Sequence, residues 1–263
     1  MPVTITDLAA MKARRERFVM LTAYDALTAR VLDEAGVPLL LVGDSLGMVV
    51  LGHDSTLPVT MEDALVFTAA VARGARNAIV VGDLPFGSYQ ASSSEAVRNA
   101  TRLMRVGANA VKLEGGARSV KAVRKMTQAG IPVMGHLGLT PQSVNAFGGF
   151  RVQGRGEHGD ELLADALALQ EAGCFAVVLE AIPAELGTRV TEALDVATIG
   201  IGAGPGVDGQ VLVITDLLGL TSDPTPRFVK RYADLRAVIT EAAGRFAKDV
   251  AEGHYPAPEH EYH

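Results

Sequence analysis

The sequence predicts a (β/α)8 barrel, or TIM barrel, as a single α/β domain over residues 1–263. Two observations indicate this fold class. Helix-like stretches that end in glycine alternate with short aliphatic runs, as helices and parallel strands do in α/β proteins. About eight such runs occur, and they are continuously apolar, as expected for strands buried on both faces. An open doubly wound sheet is the alternative fold.

The strands are predicted from the aliphatic runs themselves. In chain order these are residues 18–22, 39–42, 79–81, 110–113, 132–134, 175–179, 197–201 and 211–215. A glycine stands shortly before the second to sixth runs, at positions 36, 74, 107, 130 and 173. Because glycine readily adopts the left-handed conformation, each is expected to cap the C-terminus of a helix.

Hydroxyl side chains mark the starts of several predicted helices. Thr60 and Ser92 each lie three residues before an acidic residue, and Thr140 precedes a proline, as N-cap residues often do. We also expect an extra N-terminal helix over residues 1–17, a C-terminal helix over 233–252 and an irregular tail over 253–263.

Composition and charge exclude several classes of protein. The chain has 48% hydrophobic and 21% charged residues, which is ordinary for a globular protein and excludes a disordered or fibrous one. Its net charge of −6 disfavours nucleic acid and anionic membranes as partners. The single Cys174 cannot form an internal disulfide, and the N-terminal stretch does not resemble a signal peptide. We therefore expect a cytoplasmic globular protein.

Polar residues follow the predicted strands where an apolar core would otherwise continue. In a barrel the C-terminal strand ends meet at one rim, where catalysis takes place. Lys112 and Glu114 are two residues apart and therefore share one face of their strand. Buried charges must be neutralised by partners or by a ligand. The other candidates at this rim are Asp44, Ser45, Asp83, His136 and Glu180.

These residue types suggest specific roles. Asp44 and Asp83 each follow a glycine and are candidate ligands of Mg²⁺, which binds carboxylate oxygens and leaves positions for water and substrate. Glu180 and His136 are the candidates for proton transfer, because desolvation can raise the pKa of a carboxylate at the mouth of a barrel. A hydrogen bond to the backbone is the alternative role for His136. Three further histidines, at positions 254, 260 and 263, are expected to be solvated.

Two glycine motifs suggest other functions. GDSLG at residues 43–47 has the form of a serine-hydrolase nucleophile elbow, but that turn requires a helix directly after the serine. The stretch at 48–58 is instead expected to be extended. GIGAGPG at 200–206 fits no register of the dinucleotide-binding pattern. It predicts either a tight turn or an anion site formed by backbone N–H groups.

Taken together, eight motifs give the sequence a family resemblance. It resembles ketopantoate hydroxymethyltransferases through VGDSLGM at 42–48, GHDSTLPVT at 52–60, DLPF at 83–86, VKLEGG at 111–116, GHLGLTPQ at 135–142, GGFRVQGR at 148–155, EAIP at 180–183 and GIGAG at 200–204. The resemblance runs in order over nearly the whole chain. It implies a (β/α)8 barrel, one Mg²⁺ per subunit and a homodecamer. The implied reaction transfers a one-carbon unit from 5,10-methylenetetrahydrofolate to 3-methyl-2-oxobutanoate, giving 2-dehydropantoate for pantothenate and coenzyme A synthesis.

The resemblance also implies roles for individual residues. It makes Asp44 and Asp83 metal-site residues, with Glu114 contributing directly or through water. Asp44, Ser45, Asp83 and Lys112 would contact the oxo acid, and Glu180 would be the proton acceptor. Two alternative functions remain at this point: a Mg²⁺-dependent carbon–carbon lyase that acts on another 2-oxo acid, and a non-catalytic binder of an anionic metabolite.

Overall fold

Eight parallel strands close into a barrel in the computed structural model, which describes residues 2–149, 151–221 and 225–262. Each strand pairs with the next one in the sequence, and the last pairs with the first. The strands are β1 (Phe18–Thr22), β2 (Leu39–Val42), β3 (Ile79–Asp83), β4 (Ala110–Lys112), β5 (Val133–Gly138), β6 (Ala176–Glu180), β7 (Ala197–Ile201) and β8 (Gly209–Leu212). The predicted barrel is therefore confirmed.

Helices alternate with these strands. They are α1 (Ile5–Ala13), α2 (Ala26–Glu34), α3 (Leu46–Val49), α4 (Met61–Gly74), α5 (Ser93–Arg105), α6 (Val120–Gln128), α7 (Val144–Phe147), α8 (His158–Glu171) and α9 (Ala184–Ala193). Short 3₁₀ helices cover Ala117–Ser119 and Pro141–Ser143. Two predicted N-caps are confirmed, since Thr60 and Ser92 accept hydrogen bonds from the third residue of α4 and α5. Thr140 precedes a 3₁₀ helix that begins at Pro141, as predicted, but its side chain makes no capping hydrogen bond.

Contacts divide the chain into two compact units, residues 1–213 and 214–263. The first contains the barrel. The second contains α10 (Ile214–Leu217), α11 (Leu235–Ala251) and a 3₁₀ helix at Pro258–His260 within the tail. No helix in the described parts of the chain combines the length and apolarity needed to cross a membrane. A single domain over residues 1–263 stays a prediction.

The eighth strand lies earlier in the chain than predicted. It begins at Gly209, and Ile214 and Thr215 belong to α10 instead. A side chain at Gly209 would lie 2.5 Å from the ring of Phe18 on β1, so glycine is required where the two strands meet. The aliphatic pattern misplaced this strand because the glycine that begins it carries no hydrophobic signal.

The glycines before the strands play two different structural roles. Gly36, Gly107, Gly130 and Gly173 have positive φ, as predicted for C-terminal helix caps. Gly74 instead ends α4, and a Cβ there would lie 2.3 Å from the carbonyl oxygen of Ala26. Its small size, and not its backbone freedom, lets α4 pack closely on α2.

The barrel interior is filled by side chains that alternate along each strand. One apolar cluster inside the barrel includes Met20, Leu41, Val81, Met134 and Val178. Outward-facing residues of β4, β5 and β6, such as Val111, Val133 and Val177, form a second cluster with the surrounding helices. Leu8 of α1 is fully buried in the interior cluster, so the N-terminal helix packs onto one end of the barrel.

We predict that Cys174 is unreactive in the folded protein. Burial raises the pKa of its thiol to about 12, and reaction requires the thiolate. A chromogenic disulfide reagent at pH 8 should label less than about a tenth of the native protein in the time that labels the urea-unfolded chain completely. Labelling of native protein at the rate of the unfolded chain would contradict the described burial.

Candidate active site

The charged residues of the site follow the inward-facing residues of their strands at the same spacing of two residues. On β3 the buried interior side chains Ile79 and Val81 are followed two residues later by Asp83. The same spacing puts Lys112 and Glu114 at the end of β4, with Val111 and Leu113 facing the helices as predicted. His136 and Glu180 follow Met134 and Val178 in the same way.

Asp83 and Lys112 form a buried ion pair. The Lys112 Nζ lies 2.9 Å from Asp83 Oδ1 and 2.8 Å from Asp83 Oδ2, and both side chains are less than 5% exposed. The backbone N–H of Asp44 also donates to Asp83 Oδ2, at 3.1 Å. These contacts join the ends of β2, β3 and β4 at one point of the rim.

His136 lies between two carboxylates. Its Nδ1 is 3.4 Å from Glu114 Oε1, and its Nε2 is 3.2 Å from Glu180 Oε2. Burial and the nearby Lys112 disfavour the imidazolium, but the Glu114 and Glu180 carboxylates outweigh them and raise the pKa of His136 to about 9. At neutral pH both ring nitrogens therefore carry protons and face acceptors. This placement favours an orienting role for His136 over a bond to the backbone.

The turn after Glu180 is held in an unusual conformation. Ala181 has a φ of 47°, which residues other than glycine rarely adopt. Its N–H donates to the carbonyl of Ile201 at 2.8 Å, and its carbonyl accepts from the N–H of Gln153 at 2.9 Å. These two bonds fix the backbone next to Glu180, whose side chain is 17% exposed.

A cavity of about 160 Å³ opens among these side chains. Met48, Thr56 and Pro141 add apolar and hydroxyl surface to its wall. The wall also contains every site residue predicted from the sequence: Asp44, Ser45, Asp83, Lys112, Glu114, His136 and Glu180. The structure thus brings all seven together at the C-terminal rim.

Electrostatics in the cavity are dominated by burial. Burial, reinforced by the carboxylates of Asp83 and Glu114, raises the pKa of Asp44 to about 7. Burial also raises the pKa of Asp83, although Lys112 opposes this effect. Glu114 behaves differently: burial opposes its ionisation, but His136 and Lys112 hold its pKa below the ordinary value. The cavity therefore holds four carboxyl groups against two cationic side chains, Lys112 and His136.

The site fits Mg²⁺ only if water and substrate complete the coordination. Within the described residues, no three His, Cys, Asp or Glu side chains gather closely enough to form a complete metal site. However, the buried Glu114 Oε1 accepts no hydrogen bond, although it lies 3.4 Å from His136 Nδ1, and hard oxygen donors with excess negative charge suit this cation. Proteins often hold Mg²⁺ by one or two carboxylates plus substrate oxygens and water.

Gln142 and Tyr89 are buried site residues that the sequence analysis did not identify. Gln142 Nε2 donates to Asp44 Oδ2 at 3.0 Å, and the Gln142 backbone N–H donates to Glu114 Oε2 at 3.0 Å. The Tyr89 hydroxyl donates to Gln142 Oε1 at 2.8 Å. Gln142 ends the motif GHLGLTPQ, but neutral side chains give no charge signal that would have marked it.

The two glycine motifs have structural explanations. The helix α3 directly follows Ser45, so the expectation of an extended stretch from residue 48 is wrong at its start. The Ser45 hydroxyl lies 2.8 Å from the Tyr24 hydroxyl, while His136 contacts carboxylates, which is not a serine-hydrolase arrangement. In the second motif, a Cβ at Gly204 would lie 2.4 Å from Ala184 of α9, so close packing accounts for that glycine.

His254 and His260 of the tail contact different residues. His254 Nδ1 is 3.4 Å from Glu252 Oε2, and His260 Nδ1 accepts from the N–H of Ala257 at 3.1 Å. Both histidines are exposed, as predicted. His263 lies outside the described residues.

Comparisons with known proteins identify close relatives. The family model of ketopantoate hydroxymethyltransferase matches residues 2–258. The chain is 59% identical over 260 residues to a 3-methyl-2-oxobutanoate hydroxymethyltransferase of Frankia casuarinae, covering 98% of this chain and 88% of the relative. It is 57% identical over 261 residues to the enzyme of that name from Acidothermus cellulolyticus, covering 99% and 96%.

Solved structures with much lower identity share the fold. Phosphonopyruvate hydrolase in complex with oxalate and Mg²⁺ has a TM-score of 0.63 at 14% identity, covering 97% of this chain and 92% of that one. A 2,3-dimethylmalate lyase of the PEP mutase/isocitrate lyase superfamily has a TM-score of 0.61 at 17% identity, covering 100% and 93%. These similarities support the barrel architecture.

We predict that Asp44→Asn stabilises the metal-free protein at pH 8 but not at pH 5. The pKa of Asp44 is about 7 in the folded chain against 3.8 for the ordinary residue. The unfolded chain therefore loses this proton first, and wild-type stability falls as the pH rises between those values. Asparagine does not ionise, so it does not lose stability in this way as the pH rises. Urea unfolding with EDTA should show a gain of about 2 kcal/mol or more at pH 8.

Asp63→Asn is the matched control for this prediction. Hydrogen bonds from the side chain and backbone of Thr60 lower the pKa of Asp63, so its removal should weaken the protein more at pH 8 than at low pH. A stability difference between Asp44→Asn and wild type that is the same at pH 5 and pH 8 would contradict the pKa assigned to Asp44.

Proposed function

The chain belongs to the ketopantoate hydroxymethyltransferase family, and we propose that it transfers the one-carbon unit of 5,10-methylenetetrahydrofolate to 3-methyl-2-oxobutanoate. It is an enzyme that transfers a hydroxymethyl group. The observation that carries the proposal is the convergence of a buried acidic cluster, a buried lysine and a partly exposed glutamate on one small cavity. The product is 2-dehydropantoate, which places the reaction in pantothenate and coenzyme A synthesis.

Binding of the oxo acid follows from the charges of the cavity. Asp44 and Asp83 would hold Mg²⁺, with Glu114 contributing directly or through water. When bound, Mg²⁺ supplies a positive charge that stabilises the negative charge developing on the keto oxygen. Lys112 offsets the negative charge of the substrate carboxylate or enolate, and the Ser45 hydroxyl offers a hydrogen bond to the oxo acid. Buried positive charge close to the reacting group stabilises it more than the same charge in water.

Glu180 is the proposed general base. It removes the proton from C3 of the oxo acid. Water converts the folate iminium ion to tetrahydrofolate and formaldehyde. The enolate carbon adds to the formaldehyde carbon, whose oxygen takes up a proton and becomes the new hydroxyl group. His136, 3.2 Å from Glu180 Oε2, holds the carboxylate in one orientation. The rigid turn at Ala181 serves the same purpose from the backbone side. A fixed base acts efficiently because little reorganisation precedes proton transfer.

We further propose that the enzyme works in the cytoplasm as a homo-oligomer, a decamer with one Mg²⁺ per subunit. The exposed apolar side chains Val238, Ile239 and Phe246 of α11 support oligomerisation, since subunit interfaces commonly cover such residues. The proposed partners are therefore small molecules and further copies of the same chain.

Proton exchange separates this function from its alternatives. With Mg²⁺ in deuterated water, the proposal predicts exchange of the C3 proton of 3-methyl-2-oxobutanoate, followed by product formation when methylenetetrahydrofolate is added. Exchange without consumption of the folate would favour the lyase. No exchange at all would favour a non-catalytic binder.

We predict that Glu180→Gln slows both C3 exchange and turnover by at least about 100-fold, because the amide cannot accept the proton. Binding of the oxo acid measured by calorimetry should change by less than about threefold. Glu185→Gln, which removes an exposed carboxylate on the next helix, is the matched control and should retain wild-type rates. Near-normal exchange by Glu180→Gln would exclude this residue as the base.

We predict that Asp83→Ala weakens binding of Mg²⁺ and of the oxo acid together. Removal of this carboxylate takes away a proposed metal ligand and leaves the buried Lys112 without its ion-pair partner. Isothermal titration of each ligand in the presence and absence of the other measures the effect. If Asp83→Ala lowers the melting temperature but leaves both affinities unchanged, Asp83 has a structural role instead.

A further inference from the structure

Gln142 contacts two of the acidic residues of the site. It lies in the 3₁₀ helix Pro141–Ser143 directly after β5 and is 4% exposed. Its side-chain nitrogen donates to Asp44 Oδ2 and to the carbonyl of Leu84, both at 3.0 Å. Its backbone N–H donates to Glu114 Oε2, at 3.0 Å. One residue therefore holds an oxygen of each of two carboxylates that come from different strands.

The surrounding groups fix the orientation of the Gln142 amide. The carbonyl of Leu84 can accept but not donate, so the amide nitrogen must face it. The amide oxygen accepts from the hydroxyl of Tyr89 at 2.8 Å and from Nε2 of Gln90 at 3.3 Å. Tyr89 is itself anchored, because its hydroxyl oxygen accepts from the N–H of Glu114 at 3.1 Å. The amide cannot flip without leaving buried groups unpaired.

The neutrality of this amide matters for the charge of the cavity. A lysine or arginine at the same place would orient Asp44 and also neutralise it. Gln142 binds one oxygen of Asp44 and one of Glu114 and adds no positive charge. The second oxygen of Glu114, Oε1, is buried without a hydrogen bond and lies 3.4 Å from His136 Nδ1. The arrangement fixes both carboxylates while keeping their negative charge available to a cation.

We propose that Gln142 is a positioning residue that orients Asp44 and Glu114 for Mg²⁺ and the oxo acid, with Tyr89 holding the Gln142 amide in place. This inference rests on the proposed function, because it assigns Gln142 to the metal and substrate site named there. Gln142 acts through the carboxylates and has no chemical step of its own. Partners that orient metal-binding side chains typically contribute about 10–100-fold to metal affinity.

The central test is Gln142→Met, which keeps the length of the side chain and removes its polar atoms. We expect the Kd of Mg²⁺ and of 3-methyl-2-oxobutanoate, measured by isothermal titration without folate, to rise at least about tenfold. In turnover assays the KM of the oxo acid should rise similarly, while kcat at saturation falls by less than about threefold. A residue that merely supported the fold would change the melting temperature and leave these constants alone.

Gln170→Met is the matched control. Gln170 is another partly buried glutamine, and its side-chain oxygen accepts from the N–H groups of Asp195 and Val196, at the opposite end of the barrel from the site. The Gln170→Met variant should have a lower melting temperature and an unchanged Kd for both Mg²⁺ and the oxo acid. If Gln142→Met behaves like Gln170→Met, the proposal is overturned.

Tyr89→Phe provides a second test that removes one hydroxyl and little volume. It should raise the same two dissociation constants in the same direction by about threefold, because the Gln142 amide loses its strongest anchor. If Gln142→Met does not fold, unchanged constants in Tyr89→Phe overturn the proposal. Failure of the wild type to consume methylenetetrahydrofolate while it still binds Mg²⁺ and the oxo acid would refute the proposed function and leave the role of Gln142 testable by binding.

Discussion

The ammonium group of Lys112 holds the acidic rim of this barrel together. It binds both oxygens of Asp83, and Asp83 in turn accepts from the backbone of Asp44. Buried ions of like charge repel strongly where water is excluded, so this cluster depends on its few cations. His136 is the second of these, placed between Glu114 and Glu180. Without Lys112 the acidic side chains could remain buried only by taking up protons.

The same alternation of side chains that builds the core also delivers the charges. On β3, β5 and β6, the inward-facing residues begin as aliphatic side chains and end with a polar one at the rim, as Ile79, Val81 and Asp83 do. The apolar layers beneath exclude water from one side of the cavity, which strengthens every interaction among the charges above. The two-residue alternation of a strand therefore places both the side chains of the core and the charged side chains of the site.

The sequence predicted features that have a local cause. The alternation of aliphatic runs and glycines predicted the barrel, and the bounds of β1, β2 and β7 were predicted to the residue. All seven predicted site residues line one cavity because parallel strands end at the same rim. Features that depend on distant contacts were missed. Gly209 must be small because of Phe18, and Gln142 gains its importance from Asp44, almost a hundred residues away.

The packing of α1 at the end of the barrel opposite the charged rim affects how molecules can reach the cavity. Leu8 fills the interior there, and Lys12 is bound to Asp208 just before β8 at 2.8 Å. The apolar side chains of the barrel interior separate that end from the cavity at the charged rim. In the proposed reaction, both the oxo acid and the folate therefore have to approach the site from the charged rim.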